Sequence, residues 1–362
     1  MRKMIGPTLA KDICWMMKRQ ESMNCNFDEI ISHYFKNADY TLEAVPFGLT
    51  NTTKVIEINK QRFIIRIYNR HIKTIDGLEL ESQVTAFLHK AKASFEVPIF
   101  LHTCNGKAYV VMRDGSLAAM TTFLEGKLPQ LSDMDKAEKF GRLVGEFSFR
   151  MSEFPMKKAA YTGISFHKMY NIHPLANRDS VNSFFANLPF ELTAERCTFY
   201  QAMITEIDNS HLDLEVLPQQ LVHHDVLIYN LLGESGEITG VLDFDFMGMD
   251  AAFMELTISL NHIIQESSGS LDLIEAFLQG YGNVRKHASF EFGYLRLLTQ
   301  IYFVAVLHFY IGQHYAGVAI ESPFTFMIDQ FERNISWLAE HDVQIQQLLH
   351  KYVMETNTDH SK

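Results

Sequence analysis

The sequence predicts an α+β protein in two lobes, a small β-rich N-terminal lobe and a larger, mainly helical C-terminal lobe. Three observations carry this expectation. Between residues 40 and 111, short β-branched and aromatic runs such as "VIEI", "FIIRIY" and "AYVV" are separated by turn signals. From Ser132 onward, apolar residues recur at helical spacing. One compact strand-like region, "QQLVHHDVLIYNLLGESGEITGVLDFDFMG", interrupts the helical part, and polar residues gather there. The chain has 362 residues, 47% of them hydrophobic, which is ample for two lobes. The boundaries read as 1–120 for the first lobe, 121–127 for a hinge and 128–362 for the second.

Taken in order, "FDEIISHYF" (27–35) has helical spacing. "YTLEAVPFGLTNTTKVIEINKQRFIIRIYN" (40–69) reads as strands, with the polar turn "NKQ" joining two β-rich runs into a hairpin. "GLELESQVTAFLHKA" (77–91) is helical, with Leu80, Val84, Phe87 and Leu88 on one face. "VPIFLHTCNGKAYVVMRD" reads as a strand pair turning at Asn105-Gly106. "LAAMTTFLEGKLPQLS" loses regular periodicity around Gly126 and Pro129 and reads as a linker. Ser132 with Asp135 resembles a capping box opening a helix, on which Met134, Ala137, Phe140, Val144 and Phe147 form one stripe. The most apolar stretch, 294–315, is broken by Arg296, Gln300, His308 and Gln313, so a buried core helix fits it better than a membrane span.

Composition narrows the function classes. Asp and Glu number 43 against 32 Lys and Arg, a net charge of −11. That balance argues against a nucleic-acid partner and against an anionic membrane surface. None of the four cysteines forms a CxxC pair, so neither a zinc site nor a disulfide framework is expected. The first 20 residues lack the long apolar core of a signal peptide, and a cytoplasmic protein is expected. Oligomeric state leaves no trace in the sequence.

The polar cluster carries the chemistry. In "LVHHDVLIYNLL" (221–232), Asp225 is followed five positions later by Asn230. Beyond Asn230, an apolar hairpin with a Gly-Glu-Ser-Gly turn leads to "GVLDFDF", with Asp243 and Asp245. Loops of one small sheet could aim Asp225, Asn230 and Asp243 into one cleft. An amide with carboxylates and no cysteine suits a hard cation such as Mg²⁺. Phosphoryl transfer needs this set: a carboxylate that takes the proton of an attacking hydroxyl, and an Asn and an Asp that hold Mg²⁺ against nucleotide phosphates. His223-His224-Asp225, four residues and Asn230 reproduce the kinase spacing H-x-D-x-x-x-x-N, and Asp243 stands where the Asp of D-F-G would.

On these residues the chain resembles the aminoglycoside phosphotransferase and choline/homoserine kinase group of the protein-kinase-like fold, in the same order over most of its length. The resemblance implies Asp225 as catalytic base, His223 as a core histidine bracing its loop, and Asn230 and Asp243 as Mg²⁺ ligands. "LEAVPFGLTNTTKVIEI" resembles the nucleotide-covering hairpin, which brings Gly48, Thr50, Asn51 and Thr53 to phosphate. "FIIRIY" resembles the strand carrying the phosphate-binding cation, Arg66. "ELESQVTAFLH" resembles the helix whose Glu pairs with that cation, Glu81, with Glu79 as the alternative. "TTFLEG", with Thr122, Phe123 and Leu124, resembles the hinge that receives adenine. "MDAAFMELTISLN" resembles the segment entering a helix with an acidic residue near its start, Asp250 or Glu255. The chain departs from the pattern at His224, where the family usually has Gly.

The implied function is an ATP-dependent kinase of a small-molecule hydroxyl: homoserine or another amino alcohol, choline, a sugar or an aminoglycoside. A catalytically silent binding protein, or a structural one of spore-coat type, is the alternative.

Overall fold

The computed structural model describes residues 27–36, 38–45, 51–156, 161–211 and 213–355. Gly48 and Thr50 lie outside them. The chain forms two compact units, one of Met1–Ala86 with Pro98–Phe123 and one of Phe87–Val97 with Leu124–Lys362.

The first unit is built on an antiparallel sheet. Strands β1 (Tyr40–Ala44), β2 (Thr52–Ile58), β3 (Gln61–Ile67), β4 (Val110–Val111) and β5 (Leu117–Thr122) lie in the order β1-β2-β3-β5-β4. The β2–β3 hairpin turns at Asn59 and Lys60, both at positive φ (51° and 65°), which matches the right-handed twist of paired strands. Ile56 and Ile58 of β2, Ile65 of β3 and Ala118 and Met120 of β5 form one apolar cluster with Ile30 and Ile31 of helix α1 (Phe27–Ser32). Tyr68, Leu78, Phe100, Tyr109, Leu117 and Ala119 form another. Helix α2 (Ile75–Lys90) follows β3 and carries Leu78 into that cluster.

Two expectations change here. The turn at Asn105-Gly106 exists, with Gly106 at φ 77°, but its arms do not pair as strands. Residues 99–101 bond to β5 instead, Leu101 N–H to the Met120 carbonyl at 2.9 Å and Thr122 N–H to the Ile99 carbonyl at 2.9 Å. The expected linker from Leu117 is β5 itself. Leu117–Met120 are all buried, so the strand shows no polar alternation.

The second unit contains α3 (Met134–Ser152), α4 (Arg178–Ala186), α5 (Ala194–Asp208), α6 (Phe253–Glu266), α7 (Leu271–Gly282), α8 (Leu295–Tyr315), α9 (Glu321–Glu340) and α10 (Asp342–Leu348). Two small ladders accompany them, β6 (Gln219–Val222) with β9 (Gly248–Ala251) and β7 (Leu231–Glu234) with β8 (Glu237–Val241). The N-cap of α3 is Asp133, whose carboxylate accepts Lys136 N–H at 3.0 Å, one residue later than the sequence suggests. Helices α3 and α7 approach to backbone contact, since a Cβ at Gly141 would meet the Phe277 carbonyl and one at Gly280 the Glu138 carbonyl. Residues 289–315, which include α8, are the one helical stretch among the described residues long and apolar enough to cross a membrane, and they are mostly buried in this unit. The segment 87–97 joins the unit through Phe95, 5.6 Å from the Phe147 ring, and through Glu96, which exchanges backbone hydrogen bonds with Thr239 and Val241 of β8.

Candidate active site

Strand β6 ends at Val222, and the next eight residues form a loop that the rest of the second unit holds tightly. Asp225 accepts Leu227 N–H on its backbone carbonyl at 2.8 Å, and Asn230 N–H reaches the Leu227 carbonyl at 2.9 Å. The Asn230 amide then folds back over the loop. Its Nδ2 donates to the Asp225 carbonyl at 3.0 Å and to Asp225 Oδ2 at 2.7 Å. With Nδ2 turned to Asp225, Asn230 Oδ1 is the acceptor end of the amide on the side away from the Asp225 carboxylate. Leu242 N–H closes the structure on the Asn230 carbonyl at 2.8 Å, which fixes the start of the loop carrying Asp243 and Asp245. Asp243 takes a left-handed backbone conformation, φ 63°.

The electrostatics of this set are those of crowded carboxylates. Desolvation and the neighbouring Asp243 push the Asp225 carboxyl well above the usual carboxylate range, Asp245 and Glu255 add to this, and the Asn230 amide works against it. Such a cluster is stabilised by a cation. The donor set of Asn230 Oδ1 with aspartate oxygens is the all-oxygen kind that Mg²⁺ takes, so the residues fit that ion.

His223 is buried. Its Nδ1 accepts Asp225 N–H at 3.2 Å, and its ring lies against Phe244 at 4.7 Å and Phe147 at 5.4 Å. Burial, and then His224, lowers its pKa to about 3, so the ring is neutral and Nδ1 remains an acceptor at working pH.

Beneath the loop, helix α6 presents one polar stripe. Glu255 Oε2 accepts His223 N–H at 2.8 Å, Ser259 Oγ donates to the Val226 carbonyl at 3.0 Å, and His262 Nε2 accepts Ile228 N–H at 3.0 Å. Glu266 takes the Tyr229 hydroxyl. Spacings of four, three and four residues put these side chains on one face. Burial lowers the His262 pKa to about 3, which keeps Nε2 free to accept. Burial raises Glu255 to about 7, against the pull of the His223 backbone and of His224. Both acidic residues anticipated near the start of this helix are used. Glu255 holds His223, and Asp250 accepts Ser165 Oγ at 3.0 Å, Phe166 N–H at 2.8 Å, His167 N–H at 3.2 Å and Ala251 N–H at 3.0 Å.

In the first unit, Glu81 is buried on α2 whereas Glu79 is exposed. Lys73, in the link between β3 and α2, places Nζ 2.5 Å from Glu81 Oε2, with 5% and 7% of the two side chains exposed. Lys73 Nζ and the Arg66 guanidinium lie 5.3 and 5.8 Å from the Tyr68 ring centroid. Arg66 stands on β3 between Thr53 of β2 and Ala119 of β5. Asn51 Oδ1 accepts Asn69 N–H at 3.0 Å. Thr122 Oγ1 accepts Ile99 N–H at 3.0 Å, and the Arg62 guanidinium covers the Phe123 ring at 3.8 Å. Leu124 belongs to the second unit.

Sequence reasoning missed Lys73, Ser259 and His262. A signal for the last two was present: α6 is buried at every position from Phe253 to Ile264, so its polar residues had to have partners.

The model of the phosphotransferase enzyme family matches residues 41–297. Among curated proteins, the chain is 24% identical over 308 residues to the homoserine kinase of Rhizobium meliloti (strain 1021), covering 82% of this chain and 88% of that protein. Among solved structures, a microcompartment-associated aminopropanol kinase aligns with TM-score 0.64 at 16% identity, covering 88% of this chain and 97% of that one. An amicoumacin kinase solved with AMP-PNP, Ca²⁺ and Ami aligns with TM-score 0.58 at 15% identity, over 84% and 89% of the two chains.

Proposed function

The chain belongs to the phosphotransferase enzyme family, and from that premise we propose that it is a cytoplasmic kinase that moves the γ-phosphoryl group of ATP to the hydroxyl of a small amino alcohol. The observation that carries the proposal is the Asn230 amide clasping Asp225 Oδ2 while its own Oδ1 points elsewhere. One side chain thereby orients the base and keeps an oxygen for a cation.

Asp225 takes the proton of the acceptor hydroxyl. Its crowded surroundings raise its proton affinity, which suits a general base that must hold the proton once the alcohol has attacked. The new bond joins the acceptor oxygen to the γ-phosphorus, and the bond to the bridging β–γ oxygen breaks, leaving ADP. His223 and the α6 stripe hold the base in place. Mg²⁺, held by Asn230 and Asp243, would offset charge on the transferring group. Arg66, Lys73 and Glu81 with Asn51 and Thr53 are the proposed phosphate-side groups, Gly48 and Thr50 join them by sequence, and Thr122, Phe123 and Leu124 are proposed for adenine. An amino alcohol as acceptor is supported by two relatives named for homoserine and aminopropanol, which share an amine and a hydroxyl. Carboxylates around Asp225 also favour a cationic substrate. The catalytically silent alternative is not favoured, because each of these relatives is named as a kinase.

The test is product formation by mass spectrometry with ATP, Mg²⁺ and a panel of homoserine, aminopropanol, choline, a sugar and an aminoglycoside. Phosphorylated homoserine or aminopropanol is expected, and no phosphorylated product from any of them would sink the proposal. Asp225→Asn should lower kcat by at least ~10³-fold and leave ATP binding intact.

A further inference from the structure

The residue before the base is held in a conformation that needs a reason. His224 has φ 66°, a left-handed backbone that side chains other than glycine seldom adopt. Its ring is fully enclosed. Phe166 stacks on it face to face, with centroids 4.2 Å apart and planes 3° from parallel. Nδ1 lies 2.8 Å from the Phe246 carbonyl oxygen, and Nε2 lies 3.3 Å from Asp250 Oδ2. The first partner is a pure acceptor. The second is a carboxylate oxygen that already accepts from Ser165, Phe166 and His167. Nδ1 therefore carries a proton and donates it to the carbonyl, which fixes the orientation of the ring. Nε2 makes no hydrogen bond, and the Asp250 carboxylate is the group it faces, with 0% and 3% of the two side chains exposed.

We infer that His224 is a positioning residue for phosphoryl transfer, a buried ring that ties the Asp225 loop to the Asp243–Phe246 loop and, through Asp250, to residues 165–167. The base and the second carboxylate loop meet at this ring. Phe246 follows Asp245 directly and is three residues from Asp243, so the bond at Nδ1 sets how far those aspartates stand from Asp225. The stack extends outward as well, since Phe166 lies parallel to the Tyr302 ring of α8 at 6.2 Å. Glycine would adopt the same backbone without strain. It would provide none of these three contacts.

The kinetic test rests on the kinase reading, and the spectroscopic one does not. His224→Gly relieves the backbone strain but leaves a slot beside Phe166 and Asp250, so the variant should fold with a Tm several degrees below wild type. Its kcat should fall on the order of 10- to 100-fold, with KM for ATP and acceptor within about twofold. Imidazole at tens of millimolar should restore part of kcat by refilling the slot between Phe166 and Asp250. Asp250→Asn should match that loss, and the double variant should be no worse than either single one. A His224→Gly enzyme with wild-type kcat overturns the inference. Independently of turnover, nitrogen NMR of the wild-type protein should show a proton on His224 Nδ1, the nitrogen that faces the Phe246 carbonyl, and a bare Nδ1 overturns it as well. If the wild type phosphorylates nothing, the kinase reading fails and the NMR result alone decides the role of His224.

Discussion

Glu255 is a carboxylate closed off from water whose Oε2 is committed to one backbone N–H. Its pKa, about 7 against an ordinary 4.5, ties it to stability. Between those values the folded chain keeps a proton that the unfolded chain has released, so the folded state binds more protons and stability falls as pH rises. This contribution is intact below pH 4.5, is lost across the window to pH 7 and is flat above it, with a total on the order of 3 kcal/mol. In denaturant unfolding between pH 4.5 and 7, the stability difference between wild type and Glu255→Gln should carry that slope, since the contributions of His223, His262 and Asp225 are common to both. A second prediction concerns the Lys73–Glu81 pair. With both groups buried, Lys73→Met should cost about 3 kcal/mol in the same measurement, and adding Glu81→Leu should recover much of it, because the cost is a stranded charge. In the second unit, Asp225, Asn230 and Asp243 stood out by their spacing along the chain, and the fold sets them on two neighbouring loops. Lys73 did not, because it lies in an irregular link eight residues before Glu81, and only the folded path of that link makes them neighbours.

At the scale of elements, α6 acts as a splint for the loop that carries Asp225. Four side chains from Glu255 to Glu266 grip four consecutive parts of it, so the loop cannot shift without the helix. His262→Ala strands the Ile228 N–H in the interior, which costs about 1–3 kcal/mol in unfolding free energy. It should also lower kcat more than it raises either KM, since the proposed substrate groups remain while the base loses its support. Steady-state kinetics on the variant checks this, and a rise in KM with unchanged kcat would count against the splint. Legibility at this scale followed solvent exposure. The β2–β3 hairpin was readable because its turn is polar and its strands are runs of β-branched and aromatic residues. Strand β5 was not, because burial of its first four residues erases the period-two pattern that marks a half-exposed strand. The arms around Gly106 carried a true turn signal, yet a turn says nothing about which strand each arm joins, and 99–101 chose β5.

For the whole molecule, the sequence divides the chain once, around residues 121–127, whereas the fold divides it in a way that no linear boundary describes. The second unit reclaims Phe87–Val97 from the middle of what reads as the first lobe. The reason is physical and local. Phe95 is 5% exposed and packs against Phe147, Glu96 bonds in both directions with β8, and Ser94 donates its N–H to Glu146 at 2.9 Å. Strand β8 leads directly to Asp243, so the borrowed segment supports one wall of the candidate site. Composition could not reveal this, because "SFEVPIF" has the same apolar character whichever unit it serves. The prediction is a comparison of two fragments. One spans residues 124–362. The other joins 87–97 to 124–362 through a short Gly/Ser linker. The first leaves an edge of β8 unpaired and the Phe147 ring uncovered. Loss of a buried phenylalanine contact costs about 3–5 kcal/mol, so the fragment with the segment should melt several degrees higher. Equal Tm values would mean that 87–97 only rests on the second unit and that the boundary lies where the sequence first put it.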